Sequence, residues 1–144
     1  MACLARREHS QAELQFKLEQ KGFSGALVRQ VIVDFQARGL QSDARYAEVF
    51  IRSRIARGYG AARIRQELLF RGIDREVIDA SLDGDADGQI ERVYARKFGA
   101  GVPASLEERR VRERFLLRRG FSGDQIRHLF RLLRDAQNAD GRIE

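Results

Sequence analysis

Apolar positions recur at helical spacing along most of the chain, and the interruptions between them repeat. KGFS at 21–24, RGID at 71–74 and RGFS at 119–122 each set a cation, a glycine, an apolar residue and a serine or aspartate in that order. A cation suits the last turn of a helix, glycine the left-handed position just beyond it, and serine or aspartate the N-cap of the next helix. Each tetrad therefore predicts helix, tight turn, helix. The register around the tetrads agrees in every copy. Leu18, Leu68 and Leu116 stand one helical turn before Gly22, Gly72 and Gly120, and Val28, Ile78 and Ile126 sit where a hydrophobic staple would meet Phe23, Ile73 and Phe121. Ile32, Leu82 and Phe130 continue the same face.

A further helix precedes each pair. In the second copy it runs from a cap at Ser42 or Asp43 through Tyr46, Val49 and Phe50 to about Arg57, with GYG at 58–60 as its turn. In the third, Ile90, Val93 and Tyr94 keep the same spacing before Gly99, and a looser loop through Pro103 leads to Ser105. Ser10 with Glu13, and Ser105 with Glu108, have the capping-box spacing. The first copy has only a stub of a leading helix. The pattern predicts an all-α protein: an elongated array of three tandem three-helix repeats at 1–40, 41–84 and 85–144, the first truncated at its N-terminus and the last ending in a frayed tail. The glycines are 50 and 48 positions apart, which fits neither tetratricopeptide nor ankyrin periods. Stacked units of this kind favour partners with long surfaces.

The charge balance narrows the partner. The chain carries 27 Lys and Arg against 21 Asp and Glu, a formal net charge of +6, which favours nucleic acid, a nucleoprotein or an acidic protein face. Only Lys17, Lys21 and Lys97 are lysines, and arginine is the better planar fork for phosphate and carboxylate. A GC-rich coding bias would also write arginine broadly, so the clustering of arginines informs more than their number. The single cysteine, Cys3, has no partner for a disulfide, and no stretch approaches the roughly 20 apolar residues of a membrane span. A soluble, cytoplasmic protein is expected.

Candidate chemistry is sparse. Asp83, Asp85, Asp87, Gly88 and Ile90 resemble the start of a calcium loop, but position 12, which needs a bidentate glutamate, is Tyr94. The stretch reads instead as an acidic linker and hinge, with Asp87 available to cap the following helix. His9 and His128 lack ligand-spaced neighbours, and no nucleotide loop, nucleophile elbow or zinc-protease motif is present. No enzyme, no metal and no cofactor are expected.

What stands out is basic. Between Glu48 and Glu67 there is no acid, while Arg52, Arg54, Arg57, Arg63 and Arg65 flank Tyr59 in the predicted turn. Two helices meeting there would gather the guanidinium groups at one corner, with Tyr59 for stacking; the alternative is a solvated basic face. A secondary cluster, Arg109, Arg110, Arg118 and Arg119, lies among Glu107, Glu108 and Glu113, and pairs such as Glu108 with Arg112 would neutralise part of it.

LARREHSQAELQFKLEQKGF, then SDARYAEVFIRSRIARGYGAARIRQELLFRGI, then RRGFSGDQIRHLF resemble, in this order, the RecX family of bacterial modulators of the RecA recombinase. The likeness runs from about Leu4 to Arg134, and its middle segment is the most specific part. It implies a non-enzymatic regulator that binds the RecA filament on single-stranded DNA, lodges in the filament groove, and suppresses ATP hydrolysis, filament extension and strand exchange. A monomer that touches the DNA strand directly would suit that role. Family members usually carry more residues before LARRE, so the first unit is expected to be trimmed or mobile. Two other readings fit the residues: a helix-turn-helix-like protein acting on duplex DNA, and a helical adaptor with no nucleic-acid role.

Overall fold

The tetrads fold as their residues dictate. In the structure, a computed structural model describing residues 7–82 and 88–143, with side chains described up to 141, the amide of the tetrad's third residue closes onto the carbonyl of the leucine one turn back. Phe23 N donates to Leu18 O at 3.3 Å, Ile73 N to Leu68 O at 3.1 Å and Phe121 N to Leu116 O at 3.1 Å. Each leucine thus supplies both the carbonyl that ends its helix and an apolar side chain for the turn to cover. Leu68 and Leu116 are fully buried, and Leu18 is half-buried.

Among the described residues there are eight helices and no strand: α1 Gln11–Gln20, α2 Gly25–Ala37, α3 Asp43–Ala56, α4 Ala61–Phe70, α5 Arg75–Ser81, α6 Gln89–Phe98, α7 Leu106–Arg119 and α8 Gly123–Ile143. The residues read as a frayed C-terminal tail continue α8 as regular helix. The caps follow the sequence in most places. Ser10 and Glu13 form the full capping box, and the hydroxyls of Ser24, Ser42 and Ser105 accept from the backbone amides of Leu27, Arg45 and Glu108. Asp74 occupies its N-cap position without a side-chain bond. Asp83, Asp85 and Asp87, with the linker they compose, and Cys3 lie outside the described residues; α6 starts from Gly88 as its N-cap.

Contacts group the chain into two compact units, Met1–Ser53 with Arg65–Asp83, and Arg54–Ile64 with Gly84–Glu144. This division cuts across the sequence period because the α3–α4 turn packs with the third repeat. In the first unit α1 lies on α2 around Leu14, Val28 and Ile32, with Leu18 and Phe35 at the edge. In the second, α6, α7 and α8 enclose Tyr94, Leu116, Phe121, Ile126, Leu129 and Phe130. Tyr94, at the position where a calcium loop needs glutamate, is 1% exposed. Its hydroxyl donates to Gly101 O at 2.7 Å and accepts from Arg112 Nη1 at 2.7 Å. It is a core residue with a satisfied polar end.

The staple is unequal among the copies. Ile73 and Phe121 are buried over Ile78 and Ile126, but Phe23 is 48% exposed. The tetrad turns explain this. A Cβ at Gly72 would lie 2.9 Å from Ala12 Cβ, near the start of α1, and one at Gly120 would meet Gly60 and Arg63, at the start of α4. In both cases the turn sits on the first turn of the preceding repeat's middle helix. Among the described residues Gly22 meets nothing within 4 Å, and none of them covers the turn that holds Phe23.

His9 is buried, with Nδ1 3.1 Å from Arg7 O and Nε2 3.0 Å from Lys17 Nζ, so both ring nitrogens are engaged. Next to it, burial pushes the Glu13 carboxyl up. The paired bonds and charge of Arg7, the charge of His9 and the Ser10 amide together outweigh burial and hold it below its ordinary value. A depressed folded-state value means that this contribution to stability is complete above the unfolded carboxylate range and is lost as pH falls through the folded value. Glu13→Gln should therefore flatten the acid limb of the stability curve in urea melts, by about 1 kcal/mol at most for so exposed an Arg7 partner; an unchanged acid limb would remove Glu13 from that account.

Candidate functional site

The basic corner is assembled by two turns that meet backbone to backbone. Gly60 N donates to Arg119 O at 2.6 Å and Ala62 N to Gly120 O at 3.1 Å. The N-terminal amides of α4 are thereby satisfied by the C-terminal carbonyls of α7, so that the positive end of one helix faces the negative end of the other. The contact requires both glycines: a Cβ on Gly60 would lie 2.5 Å from Gly120 O.

Tyr59 projects from this junction and collects arginines from three helices. The guanidinium carbons of Arg63, Arg119 and Arg54 lie 4.2, 5.0 and 5.9 Å from its ring centre. Arg63 is in the first turn of α4, Arg54 is in the last turn of α3, and Arg119 arrives from the end of α7. Two of them are tied down reciprocally. Arg63 Nη1 donates to Arg118 O at 3.1 Å and Arg119 Nη1 to Arg57 O at 2.9 Å, each covering the carbonyl end of a helix. Arg57 is exposed beside them.

Not every arginine of the acid-free run joins in. Arg65 turns to Asp79 of α5, which neutralises it within the N-terminal unit. Arg52 is exposed on α3 in that same unit. The secondary cluster divides as well. Arg109 pairs with Glu113 at 2.9 Å and lies over Phe130, and Arg112 pairs with Glu108 at 3.6 Å and covers Phe98. Arg110 and Arg118 are exposed. Arg119 leaves the cluster for Tyr59.

Beside the junction a cleft of about 670 Å³ opens between the end of α3, α6 and α7. Among the described residues its cations are Arg57, Arg92, Arg96, Lys97 and Arg119, and its apolar lining includes Ile55, Val93 and Phe115. Gln89 Nε2 donates to Ile55 O at 2.8 Å and so docks α6 on the end of α3. Arg92, Arg96 and Lys97 were not singled out by the sequence reading; the signal available was the one-turn spacing of Arg92 and Arg96 beside Lys97. Among the described residues no group of three His, Cys, Asp or Glu converges as a metal site, and no helix is long and apolar enough to cross a membrane.

Comparison with known proteins agrees along most of the chain. Family models described as the first, second and third three-helix domains of RecX match residues 1–34, 42–82 and 85–130. A protein named Regulatory protein RecX from Halorhodospira halophila is 46% identical over 127 residues, covering 86% of this chain and 79% of that protein. Its namesake from Pseudomonas entomophila is 45% identical over 132 residues, covering 90% and 85%. The crystal structure of RecX from Lactobacillus salivarius superposes with a TM-score of 0.79 at 20% identity, covering 92% of this chain and 90% of that one, a likeness of fold. Three domain matches in order and close regulatory relatives over most of the length establish that this chain belongs to the RecX family.

Proposed function

We propose that this chain is a non-enzymatic regulator that binds the RecA filament on single-stranded DNA and inhibits its ATPase, its extension and strand exchange. Membership of a family whose named relatives are regulatory proteins is the observation that carries this reading. The arginine corner supports it, because guanidinium groups fixed around Tyr59 offer directed donors to phosphate or carboxylate without a large ordering cost. It works as a cytoplasmic monomer without a cofactor, contacting neighbouring RecA protomers and, through the corner, the bound strand. Binding energy that exists in only one filament geometry biases the filament toward that geometry and against the cycling that exchange requires.

Mixing the purified protein with RecA, single-stranded DNA and ATP tests this. At stoichiometric protein, ATP hydrolysis and strand exchange should both fall by about tenfold or more, with the loss eased by added salt. Unchanged rates would overturn the reading, and tight binding to one duplex sequence in the absence of RecA would favour a duplex-binding protein instead.

A further inference from the structure

The outer face of α7 concentrates like charge. Arg110, Arg114 and Arg118 follow one another at one-turn spacing, and all three are exposed. Like charges at that spacing destabilise a helix. The same helix sets its glutamates against other arginines, Glu108 with Arg112 and Glu113 with Arg109, and among the described residues no carboxylate pairs with these three. By the turn of an α-helix, Leu106 and Leu117 border the arginine stripe on one side and Val111 on the other. They are 64%, 53% and 47% exposed. Glu107 enters this face in the first turn, where it suits the positive helix end.

We infer that this face docks an acidic, amphipathic helix of a partner protein, with carboxylates on Arg110, Arg114 and Arg118 and apolar side chains on Leu106, Val111 and Leu117. This goes beyond the regulatory reading, since it holds whether or not the chain acts on RecA.

The position of the face within its repeat marks it as a seat for something else to pack on. Ala12, Ala62 and Arg110 each stand ten residues before the glycine of their tetrad. Ala12 lies under the turn of the next repeat, where a Cβ on Gly72 would fall 2.9 Å from the alanine Cβ. Ala62 meets the turn after that, its amide donating to Gly120 O at 3.1 Å. Both close approaches use a small side chain. At Arg110 the equivalent position is exposed and holds a long cation, so a further turn of the same kind would bury an unpaired charge. The helix is also longer here, 14 residues against 10 in α1 and α4, and its additional first turn carries Leu106. The third repeat thus keeps the receiving position and offers charge and aliphatic surface there.

The side chains select a protein helix over nucleic acid. Bases stack on aromatic rings, whereas the large apolar groups exposed on this face are all aliphatic. Protein interfaces combine arginine with an apolar patch, and an amphipathic helix presents its anchors at the same i, i+4 spacing. A second copy presenting the same face would set arginine against arginine, which opposes symmetric pairing through it.

The test is fluorescence anisotropy of a labelled helical peptide of glutamate and leucine, each repeated at one-turn spacing, with the full chain and no RecA. Its outcome is therefore independent of the inhibition assay. Arg114→Gln with Arg118→Gln should weaken binding by at least about tenfold, and Leu106→Ser with Leu117→Ser by about fivefold or more. Arg29→Gln with Arg75→Gln removes the same charge from exposed positions on α2 and α5 and should leave binding within about twofold of wild type. In urea melts the Arg114 and Arg118 pair of substitutions should raise the midpoint, because it removes two like-charge contacts; a purely structural role for these arginines would lower it. Failure of the wild-type chain to bind the peptide would overturn the proposal, and equal losses in the two arginine variants would replace the face with net charge. Leucine variants that bind as wild type would overturn an amphipathic helix as the occupant, and oligothymidylate binding lost with Arg114 and Arg118 would reassign the face to nucleic acid.

Discussion

Gly120→Ala should destabilise the C-terminal unit by about 3 kcal/mol or more. Two penalties add. At φ +100 the residue sits in the left-handed region, which costs a side-chain-bearing residue about 1–2 kcal/mol. The new Cβ would also fall 2.4 Å from Arg63 Cβ and 2.7 Å from Arg63 N, and the first turn of α4 cannot yield without breaking the bonds from Gly60 N to Arg119 O and from Ala62 N to Gly120 O. Gly22→Ala isolates the first penalty. Its φ is +96 and nothing among the described residues lies within 4 Å, so its loss should stay near about 1 kcal/mol. Urea denaturation followed by circular dichroism measures both, and equal losses would show that the close approach contributes nothing. The consequence reaches the candidate site, because the same junction brings Arg63 and Arg119 onto one tyrosine.

That junction marks the limit of what the sequence discloses. Within a repeat, the tetrad specifies helix end, turn and cap through residues that act on their immediate neighbours, and Leu68, Leu116, Ile78 and Ile126 are buried as their spacing requires. Local chemistry also sets Ser10 with Glu13, and Tyr94 in the core. The Ser122–Gln125 pair, in which Ser122 N donates to Gln125 Oε1 at 2.8 Å and Gln125 N to Ser122 Oγ at 3.1 Å, is an equally local capping box that glutamine disguised from a search for glutamate. Between repeats the determinants are backbone atoms. Nothing in GYG or RGFS, taken singly, says that their glycines touch across some 60 positions of chain.

The arginines show the same division. Charge runs along the sequence located Arg54, Arg57 and Arg63 at one corner, since neighbours in a turn stay neighbours in space. They misplaced Arg119, which the sequence joined to the glutamate-rich stretch of α7 and the fold delivers to Tyr59. They also gave no sign that Arg65 is neutralised by Asp79. Arg92, Arg96 and Lys97 escaped notice because charge was weighed by its density along the chain, whereas the cleft is made by convergence of α6 with the ends of α3 and α7. Convergence of cations from separate helices is a tertiary property, and it identifies the surfaces where a polyanionic partner gains most.

Reversing charge at Arg57 and Arg63 together should raise the concentration needed for half-inhibition of the RecA ATPase by about thirtyfold or more, the loss of about 2 kcal/mol that interfacial arginines commonly carry. Arg57 is exposed, so Arg57→Glu acts on the partner alone. Arg63 also stacks on Tyr59 and donates to Arg118 O, so Arg63→Glu removes a helix-end contact as well, and its effect on folding must be read separately in a urea melt. Arg65→Glu provides the contrast: it belongs to the same acid-free run, but its guanidinium is engaged with Asp79 across an exposed surface, an arrangement worth about 1 kcal/mol or less to stability. It should leave inhibition within about twofold of wild type. If all three reversals weakened inhibition equally, net charge rather than the corner at Tyr59 would govern binding. If the double variant remained folded and inhibited fully, the corner would have no part in contacting the filament.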